Sequence, residues 1–246
     1  MPPPSFAGLL AAPAFVVNMD ACADRWAAVR PRLEAAGFGD LRRWPGVDAR
    51  KGEELQAAWA AVGWPRFDAS DAEFVSYPGK QGCLLSHVAL WRHILEAGLP
   101  VAVIFEDDVE FHARWAELAP KYYAATPTDW DALYLGSQID YFGGVPSHIM
   151  RTPVFCTHAY AVTAAGARRL LSTVLDSPRG VRTIDCMLID AMKASVYFNT
   201  ACPFQWYAWN GTLAPDPAAT RDAKWAKRNS GLVFQDAAMG SFVRPW

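Results

Sequence analysis

The sequence predicts an α/β fold in which a mostly parallel sheet is flanked by helices. Two short apolar runs rich in β-branched residues, 14–18 (AFVVN) and 101–105 (VAVIF), are typical of strands buried on both faces. Between residues 14 and 44 a strand, a helical pattern and a second strand follow one another, which is how a βαβ unit begins. Open sheets of this class bind ligands at the carboxyl ends of their strands.

The same patterns assign the other elements in order. Strands are predicted at residues 14–18, 41–44, 101–105, 131–135, 154–163 and 195–200, and helices at residues 24–36, 51–62, 81–97, 112–123, 164–175 and 183–193. The helix at 81–97 has the clearest apolar stripe and ends at Gly98. Because periodicity weakens after residue 202, one domain is predicted over residues 1–202, with an irregular extension over 203–246 packed on it.

Composition excludes several classes of function. The 246 residues carry 23 Lys and Arg against 25 Asp and Glu, and this balance argues against a nucleic-acid partner. The five cysteines form no CxxC pair, which favours a reducing compartment over a disulfide framework or a zinc ribbon. No run approaches the roughly 18 apolar residues of a membrane span, and the N-terminus lacks a basic signal region, so we expect a cytoplasmic protein.

Three carboxylates, Glu106, Asp107 and Asp108, directly follow the strand at 101–105. Since side chains alternate along a strand, we expect Glu106 and Asp108 on one face and Asp107 on the other. Carboxylates this close repel one another unless a cation lies among them, and oxygen ligands of this kind suit Mg²⁺ or Mn²⁺. A solvated acidic turn is the alternative, and the acids alone leave both interpretations open.

Four short motifs occur in an order that resembles glycosyltransferase family 25, the group of bacterial lipooligosaccharide galactosyltransferases and collagen galactosyltransferases. They are Asn18-Met19-Asp20 with Arg25, Gly82-Cys83-Leu84-Leu85-Ser86-His87, Glu106-Asp107-Asp108, and Tyr160-Ala161-Val162 with Gly166-Ala167 and Ile184-Asp185 downstream. The resemblance covers roughly residues 14–190. The chain departs from the family at Lys80, where an acid is common, and at Ala21-Cys22, where a basic pair is usual. These departures affect the expected sugar more than the expected fold.

The resemblance implies a GT-A fold and inverting transfer of a hexose, usually galactose, from a UDP-sugar to a glycan or lipid-linked glycan. It also implies Mn²⁺ or Mg²⁺ as cofactor. Asp108 and Glu106 are the expected carboxylate ligands, and Asp107 is expected to reach the ribose or the metal shell. His158 is a candidate nitrogen ligand, with a buried structural role as the alternative.

The nucleotide is expected at the end of the first strand and beside the helix at 81–97. Asn18 and Asp20 are expected near the base and Arg25 near a phosphate, the alternative being a capped loop with Arg25 in a surface ion pair. Ser86 and His87 lie in the family's helix motif, and a hydrogen-bonded core histidine is the alternative for His87.

Inversion needs a general base near the acceptor hydroxyl. Asp185, in the first turn of a predicted helix, is the first candidate and Asp140 the second, while a helix-capping acid is the alternative for Asp185. Basic residues around Trp225, in 221–228, suggest a peripheral membrane contact, with a solvated helix as the alternative. For the whole chain, a catalytically inactive carbohydrate-binding or sugar-nucleotide-binding protein stays open. A nucleotidyltransferase fits less well because no Gly-rich phosphate loop is visible.

Overall fold

The computed structural model describes residues 3–63, 74, 77–139, 147–211, 229–236 and 239. Its strands are β1 Pro13–Asn18, β2 Asp40–Pro45, β3 Val101–Glu106, β4 Val109–Phe111, β5 Ala132–Ile139, β6 Ile149–Met150, β7 Val154–Thr163, β8 Trp206–Trp209, β9 Asn229–Gly231 and β10 Val233–Gln235. Its helices are α1 Phe6–Leu10, α2 Ala23–Ala35, α3 Gly52–Val62, α4 Pro78–Glu96, α5 Trp115–Ala125, α6 Ala164–Leu175 and α7 Ile184–Phe198, with a 3-10 turn at Asp20–Cys22.

The main sheet has the strand order β2-β1-β3-β7-β5-β8-β6, with β9 paired to β5. Strands β2, β1 and β3 are parallel neighbours, and β5 and β8 run in the same direction as they do. Strand β7 runs against β3 and β5, and β6 runs against β8 at the edge. The prediction of an α/β fold with a mostly parallel sheet and flanking helices is therefore confirmed.

The two faces of the sheet pack into separate apolar cores. Ala102 and Ile104 of β3 belong to the core under α4 and α6, whereas Val103 and Phe105 belong to the core under α2 and α5. All four residues have 0% exposure. Burial on both faces explains why the β3 sequence is continuously apolar rather than alternating.

One predicted strand, at 195–200, is wrong. Helix α7 continues through Val196 and Tyr197 to Phe198 and ends at Asn199, which adopts a left-handed conformation with φ 52°. The β-branched and aromatic residues at this end favour a strand locally, but the helix continues and leaves all three of them exposed.

The tail beyond residue 202 contributes to the sheets. Strand β8 pairs in parallel with β5, β9 pairs with β5, and β10 forms a two-stranded sheet with β4. The division of the chain at residue 203 remains a prediction, but these segments of the tail are regular and pair with the first domain.

Candidate functional site

The three acids lie at the carboxyl end of β3, beside the end of β1. Val17 of β1 is the register partner of Glu106, so Asn18 adjoins the acids. Strand β3 ends at Glu106, residues 107 and 108 form a turn, and β4 begins at Val109. We call residues 106–108 the acid turn. Its position is the one that the sequence predicted, at a ligand-binding edge of an open sheet.

A guanidinium lies among the acids. Arg25 Nη2, from α2, is 2.8 Å from Asp107 Oδ1 and 3.3 Å from Asp108 Oδ2. Arg25 is 8% exposed, so this is a buried ion pair rather than the surface pair considered from sequence. The predicted alternation of the acids is wrong beyond Glu106, because the strand ends there and both aspartates then reach the same guanidinium.

Asn18 connects the acid turn to solvent. Its side chain, in a residue with 1% exposure, donates to Asp107 Oδ2 at 2.7 Å and accepts from Arg43 Nε at 2.6 Å. Arg43 also donates to Asp20 Oδ1 at 2.7 Å, and the Asp20 side chain is 75% exposed. Sequence analysis missed Arg43. Its position depends on the pairing of β2 with β1, which the structure shows.

Burial dominates the electrostatics of the two aspartates of the acid turn. Burial and the charge of Glu106 raise the pKa of Asp108 to about 8, against the lowering effect of Arg25. Burial also raises the pKa of Asp107, opposed by Arg25 and Asn18. Asp108 Oδ1 is buried and has no hydrogen-bond partner among the described residues. An unsatisfied carboxylate oxygen in a group of acids fits a divalent cation, the cofactor that the family resemblance implies.

Helix α4 presents two different faces to this region. On one face, Gly82 packs so closely that an added Cβ would lie 2.5 Å from the carbonyl oxygen of Val47, and Ser86 Oγ accepts from the Val47 amide at 2.8 Å. The Ser86 hydroxyl also donates to the Gly82 carbonyl at 2.6 Å. These contacts anchor the helix to the segment after β2, and nucleotide binding by Ser86 stays a prediction.

On the other face of α4, Cys83 and His87 lie one turn apart and face Glu106. Ligand atoms of these three residues all lie within 4.8 Å of one another, and His87 Nε2 is 3.7 Å from Glu106 Oε1. Burial acts to raise the pKa of Glu106, but His87 and the charge of His158 outweigh it, so the pKa of Glu106 is lowered.

Tyr160 and Trp91 form an aromatic network that orients His87 through its Nδ1 atom. A hydrogen bond of 2.8 Å joins His87 Nδ1 to Tyr160 Oη, which also accepts from Trp91 Nε1 at 2.9 Å. His87 has 0% exposure, and Tyr160 stacks on Tyr134. The sequence named Tyr160 only as part of a motif, and its contact with His87 depends on how β7 lies under α4.

Strands β7 and β10 complete the surroundings of Glu106. Thr157 Oγ1 donates to Glu106 Oε1 at 3.1 Å, and Gln235 Nε2 donates to Glu106 Oε2 at 3.5 Å. His158 Nε2 donates to the Val233 carbonyl at 3.1 Å, and His158 is 1% exposed. Metal ligation by Glu106, Asp108 and His158 stays a prediction. Thr157 and Gln235 had no sequence signal.

Asp185 lies in the first turn of α7, as predicted. Its carboxylate accepts from the Cys186 amide at 2.8 Å and from the Cys156 amide at 3.4 Å. Burial, then Glu106, then Asp185 raise the pKa of Cys83, so Asp185 and Glu106 act on the same thiol. The Asp140 candidate and the basic stretch at 221–228 lie outside the described residues. Within the described part of the chain, no helix has the length and apolarity that crossing a bilayer requires.

Comparison with known proteins matches residues 12–141, just over half of the chain, to the model of "Glycosyltransferase family 25 (LPS biosynthesis protein)". The chain is 34% identical over 104 residues to the "Probable inactive glycosyltransferase 25 family member 3" of Bos taurus, a match to 39% of this chain and 18% of that protein. It is 32% identical over 104 residues to "Procollagen galactosyltransferase 1-A" of Xenopus laevis, covering 38% of this chain and 17% of that protein. The chain thus spans less than a fifth of these curated relatives.

A solved structure titled "Crystal structure of a glycosyltransferase involved in the glycosylation of the major capsid of PBCV-1" aligns over 94% of both chains with a TM-score of 0.46 and 8% identity. The matched family segment contains β1, α2, α4, β3 and the acid turn, whereas the site residues of β7, α7 and β10 lie beyond it. On the extent of that match, the chain belongs to glycosyltransferase family 25.

Proposed function

We propose that this protein is a metal-dependent inverting glycosyltransferase that moves a hexose, galactose first among the candidates, from a UDP-sugar to a glycan or lipooligosaccharide acceptor. Family membership and the name of the procollagen galactosyltransferase relative support the transferase class and the sugar. One observation supports the metal dependence above all others. Asp108 Oδ1 is buried next to two further carboxylates and has no hydrogen-bond partner among the described residues.

In this proposal the acid turn and β1 form the donor site. Asp108 and Glu106 would hold Mn²⁺ or Mg²⁺, with His158 as the candidate nitrogen ligand, and the ion would neutralise charge on the departing diphosphate. Arg25 places a second positive charge beside the same acids and is the proposed contact for a phosphate. Asp20 is the exposed end of the Asn18–Arg43–Asp20 chain and therefore the group best placed to meet a nucleotide.

Asp185 is the proposed general base. It is partly exposed and lies at the start of α7, and its charge acts on Cys83 beside Glu106. Its two oxygens accept from the Cys186 and Cys156 amides, and these bonds orient the carboxylate. An oriented carboxylate near the donor site suits deprotonation of an acceptor hydroxyl.

Calorimetric titration with UDP, and with GDP for comparison, tests the donor site. We expect UDP binding that requires Mn²⁺ and is lost in Asp108→Ala. Equal binding of UDP without any metal would remove the metal-dependent mechanism. Absence of nucleotide binding under every condition would remove the transferase proposal.

A second candidate is a catalytically inactive protein that binds a sugar nucleotide or a carbohydrate. The names of the family member 3 relatives, among them the Bos taurus protein, include the word "inactive" and favour this candidate. Lys80, at a family position that is commonly acidic, is 3% exposed and lies over the Tyr77 ring at 4.8 Å. Release of UDP from UDP-galactose with Mn²⁺ and a glycan acceptor separates the two, because an inactive protein binds the donor without releasing product.

The proposed acceptor also suggests where in the cell the protein acts. A lipid-linked acceptor would bring the enzyme to the cytoplasmic face of a membrane, with residues 221–228 as the proposed contact. Co-sedimentation with anionic vesicles tests this contact in the full chain. Equal sedimentation of the wild type and a variant with the Lys and Arg of 221–228 changed to Ser would exclude it.

A further inference from the structure

We infer that Cys83, His87 and Glu106 form a binding site for one divalent cation of the zinc type, which shares Glu106, but no other residue, with the cation site proposed at Asp108. The inference does not depend on transferase activity. It starts from the spacing of the residues. Cys83 and His87 are four residues apart on α4 and so share one face of the helix, and Glu106 at the end of β3 faces them.

The distances between the ligand atoms fit one bound ion. In a tetrahedral zinc site with bonds of about 2.0 to 2.3 Å, two ligand atoms lie about 3.3 to 3.6 Å apart. His87 Nε2 and Glu106 Oε1 are 3.7 Å apart, and the three ligand atoms lie within 4.8 Å of one another. Side-chain rotations that move each atom by about 1 Å or less therefore complete the geometry.

An unsatisfied buried nitrogen points into this site. His87 has 0% exposure, and its Nε2 has no hydrogen-bond partner among the described residues, because 3.7 Å to Glu106 is too long for a hydrogen bond. A buried ring nitrogen without a partner is costly unless a ligand occupies it.

The other side of the His87 ring is already oriented. The bond of 2.8 Å between His87 Nδ1 and Tyr160 Oη fixes the ring plane, as the outer partner of a metal-bound histidine does. If Nδ1–H donates to Tyr160, the Nε2 lone pair faces Glu106 and is free to bind an ion. The competing tautomer, with Tyr160 donating and Nε2–H facing Glu106, describes a pair without metal.

The donor set distinguishes this site from the cation site proposed at Asp108, although both include Glu106. A thiolate, an imidazole and a carboxylate favour Zn²⁺ over Mg²⁺ or Mn²⁺, which prefer oxygen ligands. On binding, the Cys83 thiol releases its proton to solvent, and the three protein ligands leave a fourth position open for water or substrate.

Cobalt binding to the full chain tests the inference. After removal of metals with a chelator, one equivalent of Co²⁺ should give the near-ultraviolet sulfur-to-cobalt band and the visible bands of a four-coordinate ion, and Zn²⁺ should displace it. Cys83→Ser should abolish the sulfur band and weaken Co²⁺ binding by at least about tenfold. Cys202→Ser, at another half-buried free cysteine, should leave both unchanged.

Further measurements keep the test decisive. Asp108→Asn should retain the sulfur band even if it loses UDP binding, which separates this site from the donor site. If Cys83→Ser does not fold, X-ray absorption at the zinc edge of the wild-type protein should show one sulfur neighbour. Only nitrogen and oxygen neighbours, no bound Zn²⁺ or Co²⁺, or a sulfur band that persists in Cys83→Ser would each overturn the inference.

Discussion

On one side of the acid turn Arg25 contacts Asp107 and Asp108, whereas on the other side Glu106 faces an imidazole and a thiol. The α2 side therefore has its counter-charge built into the fold. The α4 side has potential ligand atoms held by Tyr160 and Trp91 but leaves His87 Nε2 unsatisfied. Each side keeps one buried atom without a partner, Asp108 Oδ1 or His87 Nε2, so the two sides differ in how their charge is balanced rather than in whether they can bind a ligand.

The largest effect is expected from removal of the built-in counter-charge. Arg25→Met leaves two buried carboxylates without their cation and should lower the free energy of unfolding by about 3 to 5 kcal/mol. Urea denaturation measures this change. Arg30→Met, in an exposed pair on the same helix, should change stability by less than about 0.5 kcal/mol and serves as the control. A loss below about 1 kcal/mol for Arg25→Met would show that the pair does not stabilise the fold.

Removing the Asp108 charge should stabilise the protein, whereas removing the Arg25 charge should destabilise it. The pKa of Asp108 is raised to about 8, so its ionisation costs stability above the unfolded value near 3.8. Wild-type stability should fall from pH 4 to pH 8, and Asp108→Asn should remove the Asp108 part of that fall and leave the part due to Asp107, whose pKa is also raised. We expect the variant to be equal to the wild type near pH 4 and more stable than the wild type by several kcal/mol at pH 8 without metal.

Thermal unfolding across this pH range measures the difference. Asp40→Asn serves as a comparison, because a hydrogen bond from Arg42 lowers the pKa of that carboxyl and its loss should destabilise the protein at neutral pH. An Asp108→Asn curve parallel to the wild type would contradict the raised pKa.

On the α4 side, stability should depend on the hydrogen bonds that Tyr160 makes to His87 and Trp91 rather than on a charge. Tyr160→Phe removes the oxygen that holds His87 Nδ1 and Trp91 Nε1 and should cost about 1 to 2 kcal/mol, because two buried groups lose their partner. Chemical denaturation provides the measurement. Tyr123→Phe removes a single partly buried bond to Pro4 and should cost less. Equal losses of stability in the two variants would mean that the bonds of Tyr160 to His87 and Trp91 stabilise the fold no more than a single partly buried hydrogen bond does.

The smallest effect on stability is expected at Asp20, the exposed end of the Asn18–Arg43–Asp20 chain. Its effect on nucleotide binding should be clear. Asp20→Asn breaks the ion pair with Arg43, in which the Asp20 side chain is itself 75% exposed, and should change the free energy of unfolding by less than about 0.5 kcal/mol. If Asp20 meets the nucleotide, UDP affinity should fall about threefold or more, since even a modest charge-assisted contact contributes that much. Calorimetry measures the affinity, and an unchanged value would remove Asp20 from the site.

Much of the site could be predicted because local patterns place it. The apolar run of β3 followed by Glu106, Asp107 and Asp108 predicts a buried strand that ends in acids, and the structure has both. The alternation beyond Glu106 could not be predicted, since it depends on where the strand ends. The helical end of α7 was missed because its residues favour strands locally.

Contacts between distant segments could not be predicted at all. Gln235 reaches Glu106 across 129 residues of sequence, and Tyr160 reaches His87 across 73. Nothing local to Gln235 marks it, because its contact arises only when the tail pairs β10 with β4.

The sequence by itself determined the fold class, the order of most elements, the acid motif and the family, because hydrophobic periodicity and short motifs are local properties of the chain. Only the tertiary structure decided which cation accompanies the acids, which face of α4 meets Glu106 and which buried atoms lack partners. Those properties depend on distances between segments far apart in the chain, and the packing of helices on the sheet sets those distances.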